Sequence, residues 1–179
     1  MAEIATRTPA VTWMACDSPK GCIPLKVEPG SPVEIYGTLG EWTCGYGMDR
    51  HGAGSAWFRS RDLHRLEFTA KPPLAAWYGT WKGGEDHIVI SPATNRTQLH
   101  LVGRARWQGG QGNEHFGDVR GDASPAGNRL HYVQGGCTID LTLAGRYILA
   151  YDNQGCGGMN ARFGGIWKHA PQYRLASTQ

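Results

Sequence analysis

The chain has 179 residues, 40% of them hydrophobic and 18% charged, with 26 glycines and a formal net charge of +3. That length suits one large domain or two small ones, and so low a charged fraction excludes disorder driven by charge. The basic excess lies after position 70, with 11 basic against 7 acidic residues, and is far short of a nucleic-acid footprint.

In chain order, "MAEIATRTPA" lacks the basic, apolar and small-residue regions of a signal peptide and reads as a loose tail. The protein is then either cytosolic or an extracytoplasmic chain whose leader has been removed. No apolar run is long enough for a transmembrane helix. Cys16 and Cys22 bracket the turn sequence "DSPKG". Short runs with strand character follow: "PVEIYGTL", "EWTCGYG" and "SAWFRS", then "DHIVIS", "TQLHLVGRARW", "RLHYVQ", "CTIDLTLAG", "RYILAYD" and "NARFGGIWK". Each is bounded by Gly, Pro, Asn or Asp. Helical periodicity is confined to one turn at "SRDLHRL" and a few residues around Leu74. The chain is therefore all-β. Pro72 and Pro73 lack amide donors and resist strand continuation, so "EFTAKPPLAAW" is a boundary between a domain at 11–68 and another at 74–170.

In the first domain, Val33, Ile35 and Leu39, then Trp42, then Ala56-Trp57-Phe58 follow the spacing of a hydrophobic strand, a turn with a Trp, and Gly-Trp-Val. Over about residues 30–66 this resembles the bacterial SH3-like domain. The resemblance implies a small barrel used for docking. Trp57 is expected in its core, while Tyr36 and Trp42 are candidate ligand contacts, because surface rings stack on sugars or peptides.

The second domain opens "WYGTWKG" and closes "FGGIWK". A Gly-x-Trp opening followed by antiparallel strands resembles the small up-and-down β-barrels of the lipocalin and avidin type. The resemblance implies an aromatic ring plugging one end, with a glycine letting the chain pass close above it. Alternation supports half-buried strands: Ile139, Leu141 and Leu143 share one face, and Thr138, Asp140 and Thr142 the other. Near the end, Asp152, Asn153, Cys156, Gly157, Gly158, Asn160, Phe163 and Gly165 resemble a motif, roughly DNxxCGGxNxxFxG, of uncharacterised proteobacterial envelope proteins, which carries no activity with it. Gly155 to Gly158 read as a tight turn whose glycines supply positive φ values. The rival, a phosphate-cradling loop, needs a following helix, and "MNARFGGIW" reads as a strand.

Five cysteines occur and none forms a CxxC pair, which leaves no zinc pattern. Cys137 and Cys156 each border a strand-like run. Bridges Cys137–Cys156 and Cys16–Cys22 are expected, with Cys44 left over or paired with one of the first two; buried thiols are the alternative. Disulfides point to the periplasm or exterior.

No nucleophile motif is present, and the seven histidines are scattered. An enzyme would draw on Glu114, His115 and Asp118, with Asp122 on the same side of a strand, since a glycosidase needs two carboxylates at a set distance. "GRARWQGGQGNEHFG" has the composition of an adaptable binding loop. Arg106 and Trp107 are its candidate contacts, and Tyr132 joins Trp107, Tyr147 and Tyr151 as candidate lining of a barrel mouth. The expected function is a non-enzymatic envelope or secreted binding protein. Its partner would be a cell-wall glycan, an envelope protein or a small ligand, with no nucleic acid, no metal and no cofactor. The alternatives are an inhibitor that plugs a secreted hydrolase such as a lysozyme with residues 107–117, and a small barrel enzyme.

Overall fold

The computed structural model describes residues 1–4, 10–14, 24–49 and 52–170. Cys16 and Cys22 lie outside them. The chain divides into two compact units, Met1–Glu67 and Phe68–Gln179, each with its own antiparallel sheet. No strand passes from one sheet to the other.

Among its described residues the first unit has seven strands: β1 (Ala2–Ile4), β2 (Ala10–Met14), β3 (Pro24–Val27), β4 (Pro32–Leu39), β5 (Trp42–Asp49), β6 (Gly52–Arg59) and β7 (Leu63–Arg65). They are ordered β3-β2-β6-β5-β4-β1-β7. Ala2–Ile4 is thus no loose tail; it pairs with β4 and β7. Among the described residues the core holds Val27, Val33, Ala56 and Phe58, with Leu63 packed against them. Residues alternate across a strand, so burying Phe58 turns its neighbour to the other face. Trp57, expected inside, is only half-buried. It stands opposite Cys44 in the register, and Cys44 is a free thiol.

The second unit is a nearly closed barrel of nine strands: β8 (Gly79–Gly83), β9 (Asp86–Pro92), β10 (Leu99–Gln108), β11 (Glu114–Ala123), β12 (Pro125–Ala126), β13 (Arg129–Gln134), β14 (Cys137–Ala144), β15 (Tyr147–Asp152) and β16 (Gly165–His169). Neighbours in sequence are neighbours in the sheet except β11 and β12, which stand at its two ends, and the last strand pairs with the first, in the order β11-β10-β9-β8-β16-β15-β14-β13-β12. A single-turn 3-10 helix, Leu74–Trp77, precedes the barrel. Its Trp77 is fully buried, as is Trp81. The Trp81 indole N–H donates to the Trp77 carbonyl at 2.8 Å, and the Trp167 indole makes the same four-residue reach to Phe163 at 2.9 Å. Gly79 has φ 128°, and a Cβ there would collide with the His169 imidazole. The opening aromatic therefore sits inside, but the ring that the glycine passes closely is His169, which in turn meets Trp81 edge-on at 4.7 Å.

The barrel wall is incomplete between β11 and β13. Only one side-chain link spans it among the described residues: the Arg120 amide donates to the Tyr132 hydroxyl at 3.1 Å. Farther along β11, beyond the end of β13, the loop 153–164 closes the gap. Gly157 forms an antiparallel bridge to Gly117, and the Gly158 amide donates to the Phe116 carbonyl at 2.9 Å. Cys137 and Cys156 are bonded, with Cα atoms 4.3 Å apart, which ties the loop to the start of β14. Closing that loop contributes about 3 kcal/mol on the chain-entropy account. Asn153 works beside it: its side chain donates to the Gly136 carbonyl at 2.8 Å and accepts from the Thr138 and Gly155 amides at 3.1 and 3.0 Å. Asp152 accepts from the Phe163 amide at 2.5 Å, pinning the far end.

Two expectations about this loop change. It contains no strand before Gly165, although Ala161 and Phe163 are buried and their neighbours exposed. And positive φ falls on Gln154 (63°) and Asn160 (65°), not on Gly155, Gly157 or Gly158. Those glycines are required because a Cβ has no room. At Gly155 it would meet the Gly136 carbonyl oxygen, and at Gly157 the Gly117 Cα. Both obstacles are backbone. Gly157→Ala should therefore cost about 1–3 kcal/mol, the range for overpacking. Gly164→Ala, whose Cβ would make only ordinary contacts at 3.7 Å or more, should change stability far less. Thermal or urea unfolding of the two variants checks the contrast.

Candidate functional site

Trp77, Trp81, Tyr132, Phe163, Ile139, Leu99 and Leu101 are all within 1% of full burial, so side chains of the core fill the barrel. Tyr132, expected at a mouth, is among them. Its hydroxyl is spent internally, accepting from the Arg120 amide and donating to Gln134 Oε1 at 2.5 Å, and burial raises its pKa. It offers no surface to a ligand. The other expected mouth tyrosines part company. Tyr147 is fully buried with Arg146 over its ring at 5.3 Å, whereas Tyr151 is 53% exposed.

Strands β10 and β11 pair from Leu99↔Ala123 to Gln108↔Glu114, but β9 accompanies β10 only as far as Arg104↔His87. Beyond that row β10 and β11 run on without β9 as an arm, flanked on the β11 side by the loop 153–164 at Gly117 and Phe116, and the expected flexible loop shrinks to its five-residue tip. The arm is anchored at its root, where the Arg106 amide donates to Asp86 at 2.8 Å; desolvation nevertheless raises the Asp86 pKa. Arg106 points outward, hydrogen-bonded to Glu114 and 3.8 Å from Glu85. Trp107 points to the opposite side and is half-buried. It stacks on His115 at 5.4 Å and 27°, with Gly109 folded against its ring.

This pleat separates the candidate catalytic residues. Glu114, Asp118 and Asp122 do share one exposed face, as period two requires. Each faces a partner on β10: Glu114 has Arg106, Asp118 has Arg104 at 3.8 Å, and Asp122 has His100 at 2.5 Å. His115, one residue out of phase, lies on the other face with Trp107. The set Glu114, His115 and Asp118 is not assembled, and the carboxylates form a charge-paired ladder on an open wall instead of flanking a cleft. Arg104 also lies over Phe116 at 4.5 Å, which is 40% exposed.

In the first unit, Tyr36 is 57% exposed, next to a register shift between Ile35 and Gly37. Trp42 is half-buried under Arg59, whose guanidinium sits 4.5 Å from the ring and pairs with Glu41 at 2.6 Å.

One arrangement escaped the reading of the sequence. His131, Asp140 and Tyr151 occupy one cross-strand row on β13, β14 and β15, with Arg129 and Thr142 paired in the next row. His131 Nδ1 lies 2.7 Å from Asp140 Oδ1. These residues line an open depression of about 560 Å³. The signal was available in the polar phase of "CTIDLTLAG" and "RLHYVQ", but only the register reveals that those polar residues converge.

Among the described residues, no group of three or more His, Cys, Asp or Glu side chains could hold a metal, and no helix is long and apolar enough to cross a membrane. No known protein family, curated protein or solved structure matches this chain.

Replacing Tyr132 by Phe tests its reassignment to the core. Removing the hydroxyl strips the Arg120 amide and Gln134 of a shared partner at the seam, so stability should fall by about 1–3 kcal/mol, the cost of an unsatisfied buried polar group. Equilibrium unfolding in urea reads the difference.

Proposed function

We propose that the protein is a non-enzymatic binding protein of a bacterial envelope or of the secreted fraction, and that it recognises a cell-wall glycan or an envelope protein from the outside of its barrel. The disulfide supports the compartment, since such bonds persist in oxidising surroundings. The observation that carries the reading is the β10–β11 arm, which continues past the end of β9 and presents Arg106 and Phe116 outward, next to Arg104 at its root, beside a filled interior. A ligand held within the barrel, as in a hollow one, has no space among Trp81, Tyr132 and Phe163. In the first unit, Tyr36 and Trp42 supply aromatic surface for a second contact, as the SH3-like resemblance implies.

A second reading rests on the same overhang. The β10–β11 arm with a tip at residues 109–113 has the shape of a plug, as an inhibitor of a secreted hydrolase such as a lysozyme would need. The enzyme reading is disfavoured by the ion pairing of Glu114, Asp118 and Asp122 on an exposed wall.

Co-sedimentation of the purified protein with cell-wall sacculi tests the first reading. The wild type should pellet, and Arg106→Glu should lose retention while its melting temperature stays nearly unchanged, because surface substitutions usually move stability by about 0.5 kcal/mol or less. Retention that ignores Arg106→Glu would remove the arm from the binding surface. Stoichiometric inhibition of a lysozyme, abolished by the same variant, would install the inhibitor reading in its place.

A further inference from the structure

We propose that the depression on β13–β15 is a saccharide subsite that takes one hexopyranose ring of a glycan. This deepens the binding-protein reading and rests on it for the expectation that ligand is held without turnover; it does not depend on the arm.

His131, Asp140 and Tyr151 stand directly across from one another on three adjacent strands. Neighbouring strands lie about 4.8 Å apart, so the row spans about 10 Å, the width of a sugar ring with its substituents. At one end is Tyr151, 53% exposed in a unit whose other large rings are mostly buried. Its face can stack on the apolar C–H face of a pyranose.

In the middle is Asp140, an acceptor-only group when ionised. One oxygen is held by His131 Nδ1 at 2.7 Å, which orients the pair, and both side chains stay more than half exposed, at 61% and 65%. A carboxylate beside an imidazole matches a vicinal diol: one hydroxyl donates to Asp140, and the other exchanges a hydrogen bond with His131. Thr142 adds a hydroxyl in the adjacent row. Arg129, opposite Thr142, has no ion-pair partner among the described residues and can donate to a ring substituent such as a carboxylate or an acyl oxygen.

Asp140 accepts and Arg129 and Thr142 donate, a mixed set that a polyol's hydroxyls, each both donor and acceptor, can satisfy throughout. The depression, about 560 Å³, falls within the roughly 300–1,000 Å³ typical of small-ligand sites.

Saturation-transfer NMR on the full chain tests the assignment with two probes, the N-acetylglucosamine tetramer and tetragalacturonate. At least one probe should receive transfer at its ring C–H protons and should shift the Asp140 and Tyr151 amides. Tyr151→Ala and Asp140→Asn should weaken that binding about tenfold or more, with melting temperatures unchanged, and Arg106→Glu should leave it intact. No transfer to either saccharide, or shifts mapping elsewhere, would overturn the subsite. Sacculus retention that survives Tyr151→Ala and Asp140→Asn, with neither tetramer bound, would overturn the subsite alone and leave the arm. Saccharide binding that persists when the arm variant still pellets would overturn the arm alone.

Discussion

The contact between Gly117 and Gly157 is the constraint on which the second unit depends. An up-and-down barrel closes by pairing its first and last strands, and β8 and β16 do so here. The break falls elsewhere, between β11 and β13, where the two strands come together without a ladder. A sheet edge left open there would expose unpaired amides and a row of buried side chains. The chain repairs it with a loop rather than with another strand. Backbone must then lie directly on backbone, and only glycine on both sides permits that approach. The disulfide, Asn153 and Asp152 all serve the same end, holding the loop where Gly157 meets β11.

Closing the barrel in this way fills it. Phe163 comes into the core from the clasping loop itself, beside Tyr132, Trp81 and Trp167, and the space a ligand would take is occupied by rings. Recognition is displaced to the outer wall. There the side chains of alternate residues form cross-strand rows: the ladder of His100, Arg104 and Arg106 against Asp122, Asp118 and Glu114, and the row of His131, Asp140 and Tyr151. The first row is paired within itself. The second leaves an aromatic face and polar atoms turned outward, which is why it and not the ladder carries the subsite.

Much of the architecture was legible in the residues. Turn residues bounded the strands, so "PVEIYGTL" and "RLHYVQ" coincide with β4 and β13 to the residue. The Cys137–Cys156 bridge followed from two strand borders brought together by a glycine turn. The reason for the glycines was misread, because a sequence shows that glycine is present and not whether φ or the absent Cβ is what the fold requires. The strand at β11 was read only within the enzyme alternative, because the glycines and charges of "NEHFGDVRGDA" weaken its pattern until β10 pairs with them. Site residues were least legible. Arg106 and Trp107 adjoin in sequence yet face opposite ways. Tyr132 and Tyr151 are one residue type with opposite fates, since an odd or even offset from the core phase decides which ring is inside. His131, Asp140 and Tyr151 lie on three strands, and no local pattern links them.

The central claim is that the loop 153–164 acts as a clasp on an otherwise open wall. Native-state hydrogen exchange on the Cys137→Ser/Cys156→Ser double variant tests it most directly. If the account holds, exchange quickens selectively at the Gly158 amide, at the Arg120 amide and along the adjoining parts of β11 and β13, while the β8, β9 and β16 amides keep their protection. A uniform loss of protection around the whole barrel, or none at the seam, would contradict it.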